Sequence, residues 1–268
     1  MKEKSFGILN RTSISDEIEF YLEELKINGF TIIENVISGD DIKIAIEKLN
    51  EVYEKQVKEF SDKELERINE SLLARLPLSY DDYFLKLATN SKVISLVKRV
   101  LGDYFVLHLQ NGVINMPQMG HHQNSWHRDL PYQDFVISKP LALSVMVCLD
   151  DFNASTGGTI VLPFSHQVNT MPSEEYVQKH AFQTVAPKGS VIIFDSMIFH
   201  KAGYNSSNQV RRGINHMYTS AILKQQINIP ASLKGKFSDD PFLKMLLGYE
   251  AKIADSVYEW RKSRLSKK

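Results

Sequence analysis

Apolar positions step by three and four residues through the first hundred positions of the chain and crowd into short runs beyond Gly102. Ser15 and Asp16 precede Ile18, Phe20, Tyr21, Leu22 and Leu25, which predicts an amphipathic helix ending at Asn28-Gly29. Residues 30–33 read as a short strand. Ser38, with Asp41 three residues on, marks the start of a second helix whose buried face is Ile42, Ile46, Leu49, Val52 and Tyr53. Another helix is predicted over residues 92–101, closed by Gly102. Between them, residues 61–84 are mixed in charge and hold Pro77 and Tyr80; they read either as a lid controlling entry to a site or as ordinary surface.

After Gly102 the period changes. Residues 104–116, 141–149, 158–162, 190–194 and 213–223 are runs of Val, Ile and aromatics, separated by turn clusters such as Asp150-Asp151-Phe152-Asn153 and Pro187-Lys188-Gly189. Helical spacing returns only after Asp239, through Phe242, Met245, Leu246 and Leu247, and again over residues 254–264. Strands without intervening helices point to antiparallel sheet, so the predicted fold is mainly β with flanking helices, built on a jelly-roll core rather than on alternating βαβ units. One domain over residues 1–268 is expected, with a mainly helical part at 1–102, the jelly roll at 103–224 and C-terminal helices at 236–268. No internal repeat interrupts this plan.

Composition narrows the class of function. The chain has 268 residues, 43% hydrophobic and 24% charged, the proportions of an ordinary soluble globular protein that buries a core without covalent staples. Its 32 basic and 32 acidic residues cancel, and only the tail ending Lys267-Lys268 is lysine-rich. Electrostatics therefore favours neither a nucleic acid nor an anionic membrane as partner, and a small-molecule substrate is expected instead. The single cysteine, Cys148, lies in an apolar run and reads as a small buried hydrophobe rather than a nucleophile. Met1-Lys2-Glu3-Lys4 leads into polar sequence, and no run approaches the roughly 18 apolar residues of a membrane span. A cytoplasmic location is the expectation. The oligomeric state is not written legibly in the chain.

The candidate chemistry begins at Trp126-His127-Arg128-Asp129. In an extended segment, residues two apart share a face, so His127 and Asp129 can converge on one ion. A His-x-Asp triplet alone is weak, because it often arises by chance. The run from Gly189 through Val191-Ile-Ile-Phe-Asp195 to His200 adds a strand that delivers a second histidine at its polar end. Two histidines and one carboxylate form a facial triad that leaves metal positions open, a ligand set suited to iron(II) more than to zinc. Arg211 follows eleven residues after His200, beside Arg212. A guanidinium grips a carboxylate through two parallel hydrogen bonds, which suits the distal carboxylate of a 2-oxo diacid. Neighbours on a strand point oppositely, and Arg211 is placed inward with Arg212 outward.

His127-Arg-Asp129, Leu149-Asp-Asp with Gly157-Gly-Thr-Ile-Val-Leu-Pro-Phe-Ser-His166, and His200-Lys-Ala-Gly-Tyr-Asn205 continuing to Arg211 together resemble the phytanoyl-CoA dioxygenase family of iron/2-oxoglutarate oxygenases. The likeness runs from about Gly29 to about Arg264. It implies a cupin-like double-stranded β-helix, a metal triad of His127, Asp129 and His200, and iron(II), 2-oxoglutarate and O2 as cofactor and co-substrates. It also implies hydroxylation of a substrate with release of succinate and CO2. Where the family usually has Pro-Gly-Ser-His, this chain has Pro163-Phe164-Ser165-His166, which alters a turn but no metal ligand. Asp129 is not replaced by a small residue, so a halogenase is not implied.

By the same resemblance, an amide on the strand before the triad contacts 2-oxoglutarate or substrate: Asn115 is the preferred co-substrate contact, with Asn111 and Gln110 as substrate-side candidates. Ser144 is a candidate hydroxyl donor in the cofactor pocket. Trp126 walls the site, and His122, in the loop of His121, His122 and Gln123, faces substrate or solvent. His108, His180 and His216 are read as structural. Balanced charge and the polar loop favour a small polar metabolite over an acyl-CoA. Two other classes use the same pattern: a non-oxidative, metal-dependent cupin-like hydrolase or isomerase, which has no need of Arg211, and a non-catalytic jelly-roll binding module, which has no need of the triad.

Overall fold

The structure, a computed structural model, describes residues 13–131 and 133–265, with every side chain among them except that of His122. The terminal segments Met1-Lys2-Glu3-Lys4 and Lys267-Lys268 lie outside the described residues. Helix α1 (Glu17–Asn28) starts where the Asp16 carboxylate accepts from the Glu19 N–H and stops at Gly29, whose φ of 85° is left-handed. A Cβ at Gly29 would also overlap the His166 imidazole, so backbone and space both require glycine. After β1 (Phe30–Ile33), the Ser38 hydroxyl accepts from the Asp41 N–H and caps α2 (Gly39–Phe60), which buries Ile42, Ala45, Leu49, Val52 and Gln56.

Then come α3 (Asp62–Arg67), β2 (Leu73–Arg75), α4 (Tyr83–Ala88), α5 (Ser91–Leu101), β3 (Phe105–Asn115), β4 (Ala142–Cys148), β5 (Ile160–Val161), α6 (Glu174–His180), β6 (Phe182–Gln183), β7 (Val191–Asp195), β8 (His200–Lys201), β9 (Arg211–Ser220), α7 (Ile229–Ser232), α8 (Pro241–Leu246) and α9 (Val257–Leu265). The strands form two antiparallel sheets, a large one in the order β1-β7-β4-β9-β3-β2 and a small one in the order β6-β5-β8. This is the cupin-like double-stranded β-helix expected from the sequence.

The large sheet is buried on both faces, which explains why its strands read as dense apolar runs rather than as alternation. Val145 and Val147 of β4, Val191 and Ile193 of β7, and Ile214 and Tyr218 of β9 pack outward against α2 and α5. Met146, Cys148, Ile192 and Phe194 face the other way, toward Phe152, Val161 and Ile198 of the small-sheet side. Cys148 is fully buried, and burial pushes its thiol up. Of the histidines read as structural, His108 and His216 are buried; burial holds His216 down at about 3, a neutral ring at physiological pH. His180 ends α6.

Several expected boundaries move. The run 158–162 contributes only Ile160–Val161, and the run 213–223 is strand from Arg211 to Ser220, so Arg211 is the first strand residue. Residues 61–84 divide: 61–69 are exposed apart from Leu65, as the surface reading expects, whereas strand β2 pairs with β3 and Leu73, Ala74, Leu76, Leu78 and Phe84 are buried, so apolar burial holds the second half against the sheet. Among the described residues, no helix is long and apolar enough to cross a membrane.

Two predictions concern this framework. Gly112 on β3 leaves room for Leu49 of α2, and a Cβ there would overlap Leu49 Cδ1. Gly112→Ala should cost about 1–3 kcal/mol by overpacking, read as a lower denaturation midpoint. A Gly112→Ala/Leu49→Ala double variant should be less destabilised than the sum of its parts. At the end of β7, burial raises the Asp195 carboxyl to about 6, against the opposing pull of the Met197 N–H and the Arg128 charge. The folded state then holds a proton that the unfolded chain releases from its ordinary carboxyl near 3.8. Stability is present below that value and is lost as pH rises toward 6, by about 3 kcal/mol in all at 1.36 kcal/mol per unit. Asp195→Asn should match the parent protein below pH 4 and exceed it above pH 6 in chemical denaturation.

Candidate metal centre

The centre is made where residues 126–129 lie antiparallel to residues 196–200. His127 and His200 exchange both backbone hydrogen bonds, each 3.0 Å, and the Asp129 N–H donates to the Ser196 carbonyl at 3.0 Å. Side chains alternate along the first segment, so His127 and Asp129 leave one face and Arg128 the other. Opposed residues of such a pair carry neighbouring side chains, and the two imidazole centroids are 4.3 Å apart. His200 Nε2 lies 3.5 Å and His127 Nε2 3.9 Å from Asp129 Oδ1. One ligand atom from each of the three residues falls within 4.8 Å of the others.

Each ring is oriented through its own Nδ1, 2.9 Å from the Ser125 carbonyl in His127 and 3.0 Å from the Ile198 carbonyl in His200. A carbonyl can only accept, so Nδ1 carries the proton and the Nε2 lone pair is left for a cation. Burial raises the Asp129 carboxyl, but His200, His127 and the Ser144 hydroxyl outweigh it and hold the group well below the usual carboxylate range. Burial lowers His127, assisted by the charge of His200. Burial lowers His200 too, yet the Asp129 carboxylate prevails and the net shift is upward. An anion between two imidazoles with inward lone pairs is a cation site, in which protons and metal compete.

Arg128 ties the two halves together. From the opposite face, its Nε donates to the Met197 carbonyl at 2.7 Å, and its Nη atoms donate to the carbonyls of Ser165, Val168 and Asn169. Its Cζ sits 3.9 Å from the Phe199 ring centroid. Ser165 accepts from the Phe199 N–H at 2.8 Å, so the Phe164-Ser165-His166 turn braces the strand that presents His200. Phe164 has φ 66° and a half-exposed ring, so the phenylalanine adopts the left-handed conformation that favours glycine. Neither brace was apparent from the sequence, because Arg128 counted only as the spacer between two ligands.

Arg211 turns inward and Arg212 outward. Arg212 Nη1 pairs with Asp150 Oδ2 at 3.1 Å, and its Nε reaches Asn50 Oδ1 at 3.3 Å. Arg211 is 2% exposed. Its Nη2 donates to the Gly157 carbonyl at 2.9 Å, its Cζ is 4.4 Å from the Phe152 ring centroid, and its Nε has no partner among the described residues. Burial lowers it to about 10, with Cys148 and Asp150 opposing, so it stays a cation. Gly157, at φ 75°, approaches Gly203 so closely that a Cβ would overlap the Gly203 carbonyl; the Gly157-Gly158 pair thus sets the position of the Arg211 partner.

The other expected site residues divide. Asn111 lines the cavity, as do Val113, Met146 and Phe194. With its amide oriented to satisfy both ends, Asn111 donates to the Gln110 carbonyl (2.9 Å) and accepts from Arg75 Nη1 (3.1 Å). Gln110 points to the other face of β3: it accepts from the Leu78 N–H at 2.8 Å and donates to the Phe84 carbonyl at 3.1 Å, a structural clamp rather than a substrate contact. Asn115 lies opposite Arg211 in register; its Nδ2 donates to the Gly203 carbonyl at 3.1 Å and braces that loop, while its buried Oδ1 has no partner among the described residues. Ser144 donates to Asp129 Oδ2 at 2.5 Å, so its hydroxyl supports a carboxylate of the cluster. Trp126 is half-buried under the Lys201 ammonium, 5.1 Å from its ring centroid. His122 falls in the 3-10 turn His122–Asn124, and its side chain lies outside the described ones. Asn215, which the sequence reading did not single out, lines the cavity four residues after Arg211 on the same strand face. The two-residue period was the signal that could have found it.

Comparison with known proteins shows the family and the fold. Residues 25–213 match the profile of the family described as Phytanoyl-CoA dioxygenase (PhyH). An uncharacterised protein of Mycobacterium tuberculosis is 31% identical over 261 residues, covering 94% of this chain and 92% of its own. A dioxygenase of Aspergillus fumigatus is 26% identical over 180 residues, covering 62% of this chain and 55% of its own. Among solved structures, EctD from S. alaskensis, crystallised with 2-oxoglutarate and 5-hydroxyectoine, superposes with a TM-score of 0.65 at 19% identity over 79% of each chain. The α-ketoglutarate-dependent epimerase SnoN gives a TM-score of 0.58 at 15% identity, over 76% of this chain and 81% of its own.

Loss of the Ser144 hydroxyl leaves one Asp129 oxygen without its donor. Ser144→Ala should weaken divalent metal binding by about 10- to 100-fold, measured by competing a chromophoric chelator for Co(II), while the unfolding midpoint moves little.

Proposed function

The chain belongs to the phytanoyl-CoA dioxygenase family, and from that premise we propose that it is an iron(II)- and 2-oxoglutarate-dependent oxygenase that hydroxylates a small polar molecule, with succinate and CO2 as co-products. The observation that carries the reading is the pairing of a two-histidine, one-carboxylate cluster with a buried guanidinium whose Nε is unmatched at the same cavity.

The residues present fit the groups they would hold. His127, Asp129 and His200 offer two neutral imidazole nitrogens and one carboxylate, the donor set of a facial triad with open positions. Arg211 has spent one N–H on Gly157 and retains an unpaired edge, the arrangement that receives a carboxylate in two parallel hydrogen bonds. When bound, iron and the 2-oxo acid supply the oxidative chemistry, coupling reduction of dioxygen and decarboxylation of the 2-oxo acid to oxidation of a C–H bond.

The chain's own part is placement. Arg211 fixes the far end of the diacid, and the Phe152 ring beneath it keeps the guanidinium dry and its hydrogen bonds strong. Ser144 holds the Asp129 carboxylate in one rotamer, while the Ser125 and Ile198 carbonyls hold the two rings. Val113, Met146 and Phe194 line the inner cavity with apolar surface that excludes water from the reacting atoms. A non-oxidative hydrolase on the same triad would give no account of a cation buried with an unmatched edge, and a binding module would give none of the triad.

Anaerobic addition of 2-oxoglutarate to the iron(II)-loaded protein should produce a visible metal-to-ligand charge-transfer band; no band at saturating co-substrate would refute the reading. Arg211→Lys replaces a bidentate contact with a point charge. It should raise the 2-oxoglutarate concentration for half-maximal band intensity by about tenfold or more, taking 1.4 kcal/mol per decade and at least one charge-assisted hydrogen bond lost.

A further inference from the structure

Asn215 has an unspent hydrogen-bonding group on the cavity that holds the His127, Asp129 and His200 cluster. It pairs in register with Asn111 of β3 on one side and with Met146 of β4 on the other, and all three line the metal cavity. Asn111 is already committed to Gln110 and Arg75. The Asn215 carboxamide makes no side-chain hydrogen bond among the described residues, and its Oδ1 is shut off from solvent. A buried polar atom left unpaired costs about 1–3 kcal/mol, so such an atom calls for an explanation. The apolar core offers none: the neighbouring Met146 would pack equally against a leucine at this position. Gln123 brings a second carboxamide to the same cavity from the loop ahead of the triad.

The charges around the cavity restrict what those amides meet. Asp129 belongs to the metal cluster and Arg211 to the co-substrate. Lys201 borders the cavity, but it follows His200 on β8, and its ammonium lies over the Trp126 ring. Among the described residues, no other charged side chain lines the space. We propose that Asn215 is a specificity-determining residue that binds an uncharged hydrogen-bonding group of the substrate, a hydroxyl or a carboxamide, beside the carbon to be oxidised. A carboxamide both donates and accepts, and so matches groups that do the same. Among the described residues that line the cavity, an anionic group at this position would find only Lys201, already held over the Trp126 ring, and an ammonium group only Asp129, already within the metal cluster.

The inference rests on the oxygenase reading, and the test separates the two. Iron(II)-loaded protein with 2-oxoglutarate is titrated anaerobically with matched probes: alcohols, sugars and carboxamides on one side, the corresponding carboxylates, phosphates and CoA thioesters on the other. Formation of the charge-transfer band reports the oxygenase reading by itself; its perturbation on adding a probe reports substrate binding at the metal. Neutral probes should perturb the band in the parent protein, and Asn215→Leu, similar in volume, should weaken the best of them at least tenfold. Asn215→Ser, which restores a donor and acceptor, should recover part of that loss; this also separates lost hydrogen bonding from altered packing. A band that forms but responds best to the anionic probes, or a best neutral probe that binds Asn215→Leu as well as the parent, would overturn the proposal.

Discussion

Everything at the centre depends on one pair of backbone hydrogen bonds, those exchanged between His127 and His200. They fix two segments far apart in the chain in a single register, and the pleat does the rest: one step out of register would send His127 and Asp129 to the opposite face together. The bonds around this pair guard against such a slip. Asp129 is tied to Ser196, Leu162 to Phe199, and Arg128 spreads over four carbonyls on the far side. Geometry of this kind is supplied by main chain and read out by side chains, so the three ligands need no long-range contacts of their own to find one another.

The same logic governs the buried arginine. A guanidinium out of water is costly unless it is paired, and here its compensation is partial: a carbonyl, an aromatic face and the open edge toward the cavity. Arg212 shows the ordinary solution one residue away, a partly exposed pair with Asp150. The contrast between adjacent arginines of one strand, one satisfied at the surface and the other incompletely satisfied inside, is what the proposed binding of a carboxylate on the inner face rests on.

Much of this was legible in the chain because it depends on short-range periodicity. His127 and Asp129 are two apart, Gly29 follows a helical face, and the β-branched runs after Gly102 have the length of strands. The losses are equally physical. Gln110 and Asn111 could not be told apart, since a bulge between Leu107 and Leu109 shifts the facing of β3 after the point from which its parity would be counted. Asn115 and Ser144 were placed near the right atoms, but their protein partners, the Gly203 carbonyl and the Asp129 carboxylate, were not legible, because hydrogen-bond partners on other strands are set by tertiary register. Residues 61–84 looked like surface from their charges, which holds for the first half, whereas five apolar side chains decide where the second half goes. Phe164 was recognised as a departure in a turn, but only coordinates show that it takes the glycine conformation itself.

The large sheet places its longest strands, the eleven residues of β3 and the ten of β9, side by side in its interior, and ends on strands of four and three residues, β1 and β2. Its rims therefore offer only a few unpaired amides to any strand that might add to them. A fold whose interior is dense with valine and isoleucine is protected from stacking onto its neighbours by the brevity of its outermost rungs. Lengthening β2 by inserting β-branched residues would extend a seam for self-association at the rim of the sheet, away from the metal cluster.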